Sequence, residues 1–417
     1  MGQALENPKC YDVENWRTYD TREMVTHLEK LRVAAKLEGA PRAFRSSMIF
    51  RERICPVDIY CYLKARFGEP NGFQTRLARK NTSDNLFHWD FNLKASDEVV
   101  YISGTNREVH LMVSEALSDE QWPQLVGKIK GDYARVSKEK SKVFKSLERW
   151  VIFSNKYIQT AELCAGIHKN ILSHISVNSF SKISKISAVE FKSAFLDEPK
   201  VRKAMVRRTT KIFQGCLELS LLTPILAEAF INMAILVLCK KEIRDNSRQF
   251  DAFIRSPIDV KVYDLSYKCN GFVKAIDAES SEFKEFKRIM DNRNNTIHGN
   301  VNPEREQIET VYFDGKRPLY REPGDNLLKF LQTIEKQSGA ETVIKRYEDT
   351  HAFLASIGDC LDPEIKDDFW QVMEASYPGY DLDRKKLGVL LPERVVSGYP
   401  SGARYDDELS VDWSVAE

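Results

Sequence analysis

A run of nineteen mostly apolar residues, 221–239, constrains the fold of this chain more than any other segment. Its length approaches that of a membrane-spanning helix. The run also contains Pro224, Glu228 and Asn232, and a glutamate inside a bilayer is energetically expensive. Because Glu228 and Asn232 are four residues apart, a helix places them on one side and apolar residues on the other. We therefore predict a buried helix with one polar seam and no membrane association.

The composition favours a reduced protein of the cytoplasm. At 417 residues the chain is long enough for two or three domains. Its 62 Lys and Arg residues balance 61 Asp and Glu residues, so affinity for nucleic acid must come from local basic patches. The eight cysteines are scattered without a C-x-x-C pair, which indicates neither a disulfide framework nor a zinc site. Residues 1–16 lack the apolar core of a signal peptide.

Two helices are predicted in the first 145 residues. Apolar residues recur at helical spacing over 21–38. A second helix is predicted over 56–67, because Pro56 suits a first turn and Gly68 suits a helix end.

The same region also contains strand patterns. Apolar and polar residues alternate over 87–93, which predicts a half-buried strand. Two further apolar runs, 99–102 and 109–113, flank the turn-forming sequence SGTNR and predict a hairpin. We expect residues 1–145 to form a small mixed α/β domain with an antiparallel sheet, acting as a sensor or regulatory domain.

Helical spacing dominates from residue 146 onwards. We predict a helical domain over 146–365, interrupted by a serine-rich break at 179–185 and by a hairpin whose turn is Asp314-Gly315. Residues 366–417 lack a periodic apolar face and are predicted to be a tail, partly extended or disordered, that could include a short docking segment. The expected fold class is therefore α+β, with a predominantly α-helical bundle after the N-terminal domain.

Established motifs for phosphate binding and hydrolysis are missing from the sequence. There is no phosphate-binding loop, no H-E-x-x-H and no G-x-S-x-G. Histidines and cysteines never fall at metal-ligand spacing, so we predict no metal site and no cofactor. The paired carboxylates Asp367-Asp368 and Asp381 with Asp383 lie in polar sequence and are expected to be solvated.

The remaining candidate site is the sequence R-N-N-T-I-H at residues 293–298. Ser280 and Ser281 are suitable N-caps for a helix that leads into it, and Gly299 suits the helix end. Apolar residues form a stripe on this helix: Phe283, Phe286, Ile289, Met290 and Ile297. The motif is therefore expected on the last turns of a packed amphipathic helix.

The chemistry of this motif suits metal-free cleavage of RNA. Arg293 is a permanent cation whose planar fork can bind the oxygens of a phosphate. His298 has an unperturbed pKa near 6.5 and can accept or donate a proton near neutral pH. A 2′-hydroxyl must lose a proton and a charged phosphorane must be stabilised in such a reaction, and this pair of side chains could do both.

The motif Arg293-Asn294-x-x-x-His298, on a late helix of a helical bundle with an apolar earlier helix, resembles the signature of HEPN domains. The resemblance covers roughly residues 150–360, with only the six-residue motif being specific. It implies a metal-independent endoribonuclease that cleaves RNA through 2′-hydroxyl attack, with Arg293 and His298 catalytic. It further implies a homodimer with a composite active site, a bacterial defence or toxin–antitoxin role, and an antitoxin or trigger molecule as partner.

The resemblance also suggests supporting residues. Asn294 could hydrogen-bond His298 or the partner motif, and Glu228 with Asn232 could orient His298 from the neighbouring helix. For this last pair, a buried polar pair with backbone partners is an equally good interpretation. A non-catalytic HEPN-like oligomerisation or nucleic-acid-binding module is the alternative function.

Helical geometry favours a site shared between two copies of the chain. Positions 293 and 298 lie about 140° apart on an ideal helix, so one helix would separate their side chains. In the simplest alternative, Arg293 pairs with a neighbouring acid and His298 only caps the helix. RNA binding is predicted for a basic stretch that contains Lys200, Arg202, Lys203, Arg207 and Arg208. Such a stretch is more commonly just the solvated face of a helix.

Overall fold

The computed structural model describes residues 8–37, 44–77, 87–176, 187–195, 198–297, 303–304, 307–321, 323–390 and 404–416. Within its helices, the side chains of 34–37, 176, 188, 193–195 and 292–297 lie outside this description. The chain forms two compact units: unit 1 is Met1–Arg149 with Leu390–Glu417, and unit 2 is Trp150–Val389. The sequence predicts a boundary after residue 145 and a separate tail from 366. The structure instead divides that tail between the two units.

Unit 1 is built on a five-stranded antiparallel sheet with the strand order β1-β3-β4-β5-β2. The predicted hairpin corresponds to β4 and β5. The strands are β1 (Arg17–Thr18), β2 (Ser46–Phe50), β3 (Trp89–Ala95), β4 (Glu98–Gly104) and β5 (Val109–Val113). The helices are α1 (Thr21–Leu37), α2 (Pro56–Phe67), α3 (Phe73–Leu77), α4 (Gln121–Asp132) and α5 (Ser137–Ser146).

The helix predicted over 56–67 is confirmed as α2. Pro56 occupies its first turn, and Gly68 ends it with a positive φ of 84°, a conformation that glycine adopts readily. The main core of unit 1 lies between the sheet and the helices, where Phe50 on β2 packs edge-on against Trp122 on α4.

The half-buried strand predicted over 87–93 is wrong in one respect, because both sides of β3 are buried. The polar residues Asp90 and Asn92 are fully buried. The Asp90 carboxylate accepts hydrogen bonds from the backbone N–H groups of Gln74 and Thr75, at 2.8 and 2.7 Å. The start of α3 thereby covers the polar side of the strand.

The last described residues, 404–416, lie against unit 1 in an ordered conformation; we call them the C-terminal strap. The prediction of a partly extended or disordered tail allowed for a short docking segment, and residues 404–416 dock in this way. Buried Asp406 accepts hydrogen bonds from the backbone N–H groups of residues 51–53 at 2.8–3.2 Å. Buried Trp413 joins the main core of unit 1, and Lys130 donates to the carbonyl of Ala416 at 2.6 Å.

Unit 2 is predominantly helical and confirms the α+β class of the whole chain. Its helices are α6 (Lys156–Ser176), α7 (Ala188–Phe195), α8 (Pro199–Leu238), α9 (Lys241–Asp245), α10 (Ser247–Arg255), α11 (Ile258–Lys268), α12 (Ser281–Ile297), α13 (Asn326–Ser338), α14 (Ala340–Gly358) and α15 (Pro363–Glu374). The predicted serine-rich break at 179–185 falls outside the described residues.

Short strands complete unit 2. The strands β6 (Trp150–Ile152), β9 (Gly379–Asp381) and β10 (Leu387–Gly388) form a sheet in the order β10-β9-β6. The predicted hairpin is confirmed as β7 (Val311–Asp314) and β8 (Arg317–Tyr320), with Gly315 at a φ of 58° in the turn.

The central helix of unit 2 is α8, which joins the basic stretch and the apolar run into one element of 40 residues. It packs against α6, α13 and α14. By length and composition its apolar part could cross a membrane, and 56% of that part is buried inside the structure. Buried Leu226, Phe230 and Ile235 place this part of α8 in the interior of unit 2.

The expectation of solvated carboxylates holds for Asp367 and Asp368, which are exposed, but is wrong for Asp381. The Asp381 carboxylate is buried and accepts hydrogen bonds from the backbone N–H groups of Asp383 and Arg384, at 2.8 and 2.9 Å. These hydrogen bonds lower the pKa of Asp381 and hold the connection from β9 to β10.

Candidate functional site

The helix that carries the R-N-N-T-I-H motif, α12, is anchored as the sequence predicted. The Ser280 hydroxyl accepts a hydrogen bond from the backbone N–H of Phe283 at 3.2 Å, which caps the helix start. The described part of the apolar stripe is buried, and Phe286 stacks on Phe353 of α14 at a centroid distance of 4.4 Å. The stripe member Ile297 has a side chain outside the described residues.

The backbone of α12 continues through position 297, so Arg293 and Asn294 both lie on its last turns. Their side chains, and the whole of His298, lie outside the described residues. Position 293 follows buried Phe286 by seven residues and therefore falls within about 20° of it around the helix axis. The backbone position of residue 293 is therefore in line with the buried stripe of α12.

The predicted polar seam of α8 is present and has a buried partner on α11. The Lys261 ammonium, only 2% exposed, donates to Asn232 Oδ1 at 2.9 Å and to Glu228 Oε1 at 3.4 Å. The Glu228 side chain is 38% exposed. The structure thus brings Glu228 and Asn232 together around Lys261, while their predicted contact with His298 stays a prediction.

Helix α11 also contacts α12, so it links the polar seam to the motif helix. Lys287 of α12 forms an ion pair with Asp259 of α11 at 3.3 Å, and Phe283 packs edge-on against Tyr263. Because Lys261 lies between Asp259 and Tyr263 in sequence, one helix contacts both α8 and α12. A displacement of α11 would therefore affect the seam and the motif helix together.

The basic stretch lies on the first turns of α8. Four of its predicted RNA-binding side chains, Lys200, Arg202, Lys203 and Arg207, are exposed. Arg208 is half-buried and donates to the backbone carbonyls of His174 and Ile175, at the end of α6.

The positive charge at the start of α8 affects the nearby His174. Burial lowers the pKa of its imidazole, and the cations of Lys211, Arg208 and Arg207 lower it further. Because a nearby positive charge disfavours protonation, the end of α6 lies in a positive field that is compatible with phosphate binding. Arg208 differs from the other four residues in having a structural role as well.

A groove of about 650 Å³ lies between the exposed sides of α12 and α14. It contains four acidic side chains and three basic ones: Glu282, Glu285, Glu341, Asp349, Arg288, Lys345 and Arg346. Arg288 pairs with Glu285 at 2.8 Å, and Lys345 pairs with Asp349 at 2.6 Å. Since two of the three basic groups have acidic partners and acidic side chains outnumber basic ones, this groove is a poorer site for RNA phosphates than the start of α8.

The β7–β8 hairpin exposes an unusual amount of apolar surface. Its side chains are 51–68% exposed at four positions: Tyr312, Phe313, Leu319 and Tyr320. Contiguous exposed apolar patches of this kind often mark protein–protein contacts.

Groups of three or more His, Cys, Asp and Glu side chains that could hold a metal ion do not occur within the described residues. No protein-family model, curated protein or solved structure matches this chain. Function must therefore be argued from the chemistry of its own residues.

The residue that sequence reasoning missed is Lys261. Its signal is a lysine at an apolar position of an amphipathic helix, because α11 buries Val262 and Leu265 on the same side. A lysine at such a position needs a buried polar partner. The seam that we predicted on α8 from Glu228 and Asn232 supplies that partner.

Proposed function

We propose that this protein is a metal-independent endoribonuclease of the HEPN type that acts in the cytoplasm as a homodimer. The proposal is supported by one observation: the R-N-x-x-x-H sequence begins on the last turns of a capped, packed helix in a helical unit. A role in bacterial defence or in a toxin–antitoxin pair is part of the same proposal.

In the proposed reaction, His298 removes the proton from a ribose 2′-hydroxyl, and the resulting oxygen attacks the adjacent phosphate. Arg293 stabilises the negative charge that develops on the phosphorane oxygens. The 5′-oxygen leaves as a hydroxyl after protonation, which the second motif of the dimer can provide. The products carry a 2′,3′-cyclic phosphate and a 5′-hydroxyl, and DNA is not a substrate because it lacks the attacking group.

The supporting residues fit this scheme. Exposed Lys200, Arg202, Lys203 and Arg207 can bind RNA phosphates at the start of α8, together with the accessible part of Arg208. Asn294 is proposed to orient His298. Glu228 and Asn232 are proposed to act through Lys261, whose helix also contacts α12.

A homodimer is favoured by the exposed hairpin and by the angle of about 140° that an ideal helix would put between positions 293 and 298. A Phe313→Asp variant should weaken the dimer tenfold or more, because it places a charge in an apolar contact. Analytical ultracentrifugation over a concentration series measures this, and Lys316→Ala in the turn of the same hairpin is the control. Unchanged association of the Phe313→Asp protein would exclude the hairpin from the interface.

One observation favours the alternative of a non-catalytic module for oligomerisation or nucleic-acid binding. Position 293 follows buried Phe286 by two helical turns, so Arg293 could be a structural residue of the bundle. In that case Arg293→Ala would lower stability, and the wild-type protein would bind RNA without cleaving it.

The deciding experiment compares purified wild type, Arg293→Ala and His298→Ala on total RNA in EDTA. We expect both variants to lose cleavage by a factor of about 10²–10⁴. Wild-type products should accept 5′-phosphate from polynucleotide kinase without prior dephosphorylation. Arg288→Ala is the matched control, because Arg288 is an exposed arginine on the same helix. Equal behaviour of all four proteins would refute the proposal.

A further inference from the structure

Two buried cysteines face each other where α8 and α11 end. Cys239 is the residue after α8, and Cys269 is the residue after α11. They are thirty residues apart in sequence and pair across an isolated antiparallel β-bridge. Both are free thiols and only 2% exposed.

The hydrogen bonds around the bridge define its geometry. The backbone N–H of Lys240 donates to the carbonyl of Lys268 at 2.9 Å, and that of Asn270 donates to the carbonyl of Leu238 at 2.8 Å. These bonds join the neighbours of the two cysteines, so the cysteines form a non-hydrogen-bonded pair. The α-carbons of such a pair lie about 4.5 Å apart, with the side chains close together. This separation falls within the range that disulfides span, about 4.4–6.8 Å.

We propose that Cys239 and Cys269 form a reversible disulfide that locks the end of α8 to the end of α11. Formation of this disulfide does not depend on the proposed RNA cleavage. It differs from the reduced state that the scattered cysteines predicted, because two cysteines distant in sequence meet through the fold.

The oxidant is a peroxide. One thiolate attacks a peroxide oxygen, the O–O bond breaks, and a sulfenic acid forms with release of water. The second thiolate attacks the sulfenic sulfur, an S–S bond forms, and the hydroxyl leaves as a second water. Two thiols and one hydrogen peroxide thus give one disulfide and two waters. Reduction by an external dithiol reverses the change by thiol–disulfide exchange.

Burial controls the rate of this reaction. Desolvation raises the pKa of both thiols, while the nearby cation of Arg244 opposes this rise. Since the thiolate is the reacting form, oxidation should be slow at neutral pH and faster at alkaline pH. The flanking Lys240 and Lys268 are only half-buried, so the pair lies close enough to the surface for a small peroxide to reach it after local opening.

The lock would act on the link between the polar seam and the motif helix. Helix α11 carries Lys261, which binds Asn232 on α8, and it contacts α12 through Asp259. A disulfide at the end of α11 would therefore restrict its movement relative to α8 by a covalent bond in addition to these contacts.

Mass spectrometry of the full-length chain tests the proposal. Trypsin releases Cys239 in the peptide 212–240, which also contains Cys216, and Cys269 in the peptide 269–274. We therefore use a Cys216→Ala background, oxidise the folded protein with hydrogen peroxide, unfold it in guanidinium with N-ethylmaleimide to block all free thiols, and digest without reductant. The expected result is one dominant linked peptide, two hydrogens lighter than the sum of its parts, that disappears on reduction with dithiothreitol.

Two controls keep the result decisive. The first control is wild-type protein, which guards against a folding defect in the Cys216→Ala variant. Additional digestion with chymotrypsin cleaves after Phe230 and so separates Cys216 from Cys239, and the same linked peptide is expected. Cys164 is the matched buried thiol, and it should remain fully alkylated. The proposal is overturned if Cys239 and Cys269 are recovered as alkylated thiols after prolonged oxidation, or if they link to other cysteines as often as to each other.

Discussion

The two units bury charge in different ways. In unit 1, buried Asp406 is held by the backbone N–H groups of residues 51–53. In unit 2, buried Lys261 is held by the side chains of Glu228 and Asn232. Backbone donors are fixed by the chain path, whereas side chains can exchange one partner for another. The hydrogen bonds of Asp406 therefore stabilise one fixed conformation. The side chains around Lys261 can rearrange, as a site that binds and releases a ligand requires.

The largest expected effect separates the units by function. Arg293→Ala or His298→Ala should lower RNA cleavage by about 10²–10⁴, while Asp406→Asn in unit 1 should leave the cleavage rate per folded molecule unchanged. Single-turnover cleavage assays, normalised to the folded fraction by circular dichroism, check this. A comparable loss of rate in the Asp406→Asn protein would show that unit 1 also contributes to RNA cleavage.

Removal of the Asp406 carboxylate should lower stability next most. Asp406→Ala leaves the backbone N–H groups of residues 51–53 without this acceptor, and we expect a loss of about 2–4 kcal/mol in the free energy of unfolding. Urea denaturation measures it. Exposed Asp407, its neighbour in the strap, provides the control: Asp407→Ala removes only a surface ion pair with Arg51 and should cost less than about 1 kcal/mol.

The seam in unit 2 should respond unequally to the loss of either partner. Glu228→Ala leaves a buried ammonium without its carboxylate, and we expect a cost of about 2 kcal/mol. Lys261→Met leaves Glu228, which is 38% exposed and can be solvated by water, so we expect about 1 kcal/mol. Denaturation of both variants and of the double variant gives the coupling energy. If both single variants lose the same free energy of unfolding, the unpaired buried ammonium is not the main source of the destabilisation.

The smallest effect concerns pH. Burial lowers the pKa of His110 in unit 1 and of His351 in unit 2. The unfolded chain therefore takes up these protons first, at a pH near 6.5. Stability should be fully present above that pH and should fall as the pH drops towards the lowered folded pKa values. Thermal unfolding between pH 7.5 and 5 measures this, and His110→Gln or His351→Gln should flatten the pH dependence; an unchanged slope in both would contradict it.

Local signals predicted much of the fold. Pro56 and Gly68 defined α2, Asp314-Gly315 defined a hairpin, and Ser280 with the apolar stripe defined α12. Each of these signals acts over a few residues, where backbone geometry and side-chain spacing decide the structure.

Long-range contacts could not be predicted in the same way. The alternation in β3 indicated one solvent-facing side, but the burial of Asp90 depends on α3, about fifteen residues away. The position of the strap depends on Asp406, which accepts a hydrogen bond from the backbone N–H of Arg51, 355 residues earlier in the chain. The seam was predicted on α8 alone, since nothing in the local sequence specified which residue would face it.

The C-terminal strap has a consequence for biosynthesis. The N–H of Arg51 gains its acceptor only when the ribosome has made 355 further residues, on the order of 20–70 s at ordinary elongation rates. All of unit 2 is translated within that interval, because its residues are continuous between the two parts of unit 1. The domain made first is thus completed last, and a chain truncated before residue 404 would carry an unfinished N-terminal domain that proteases can recognise.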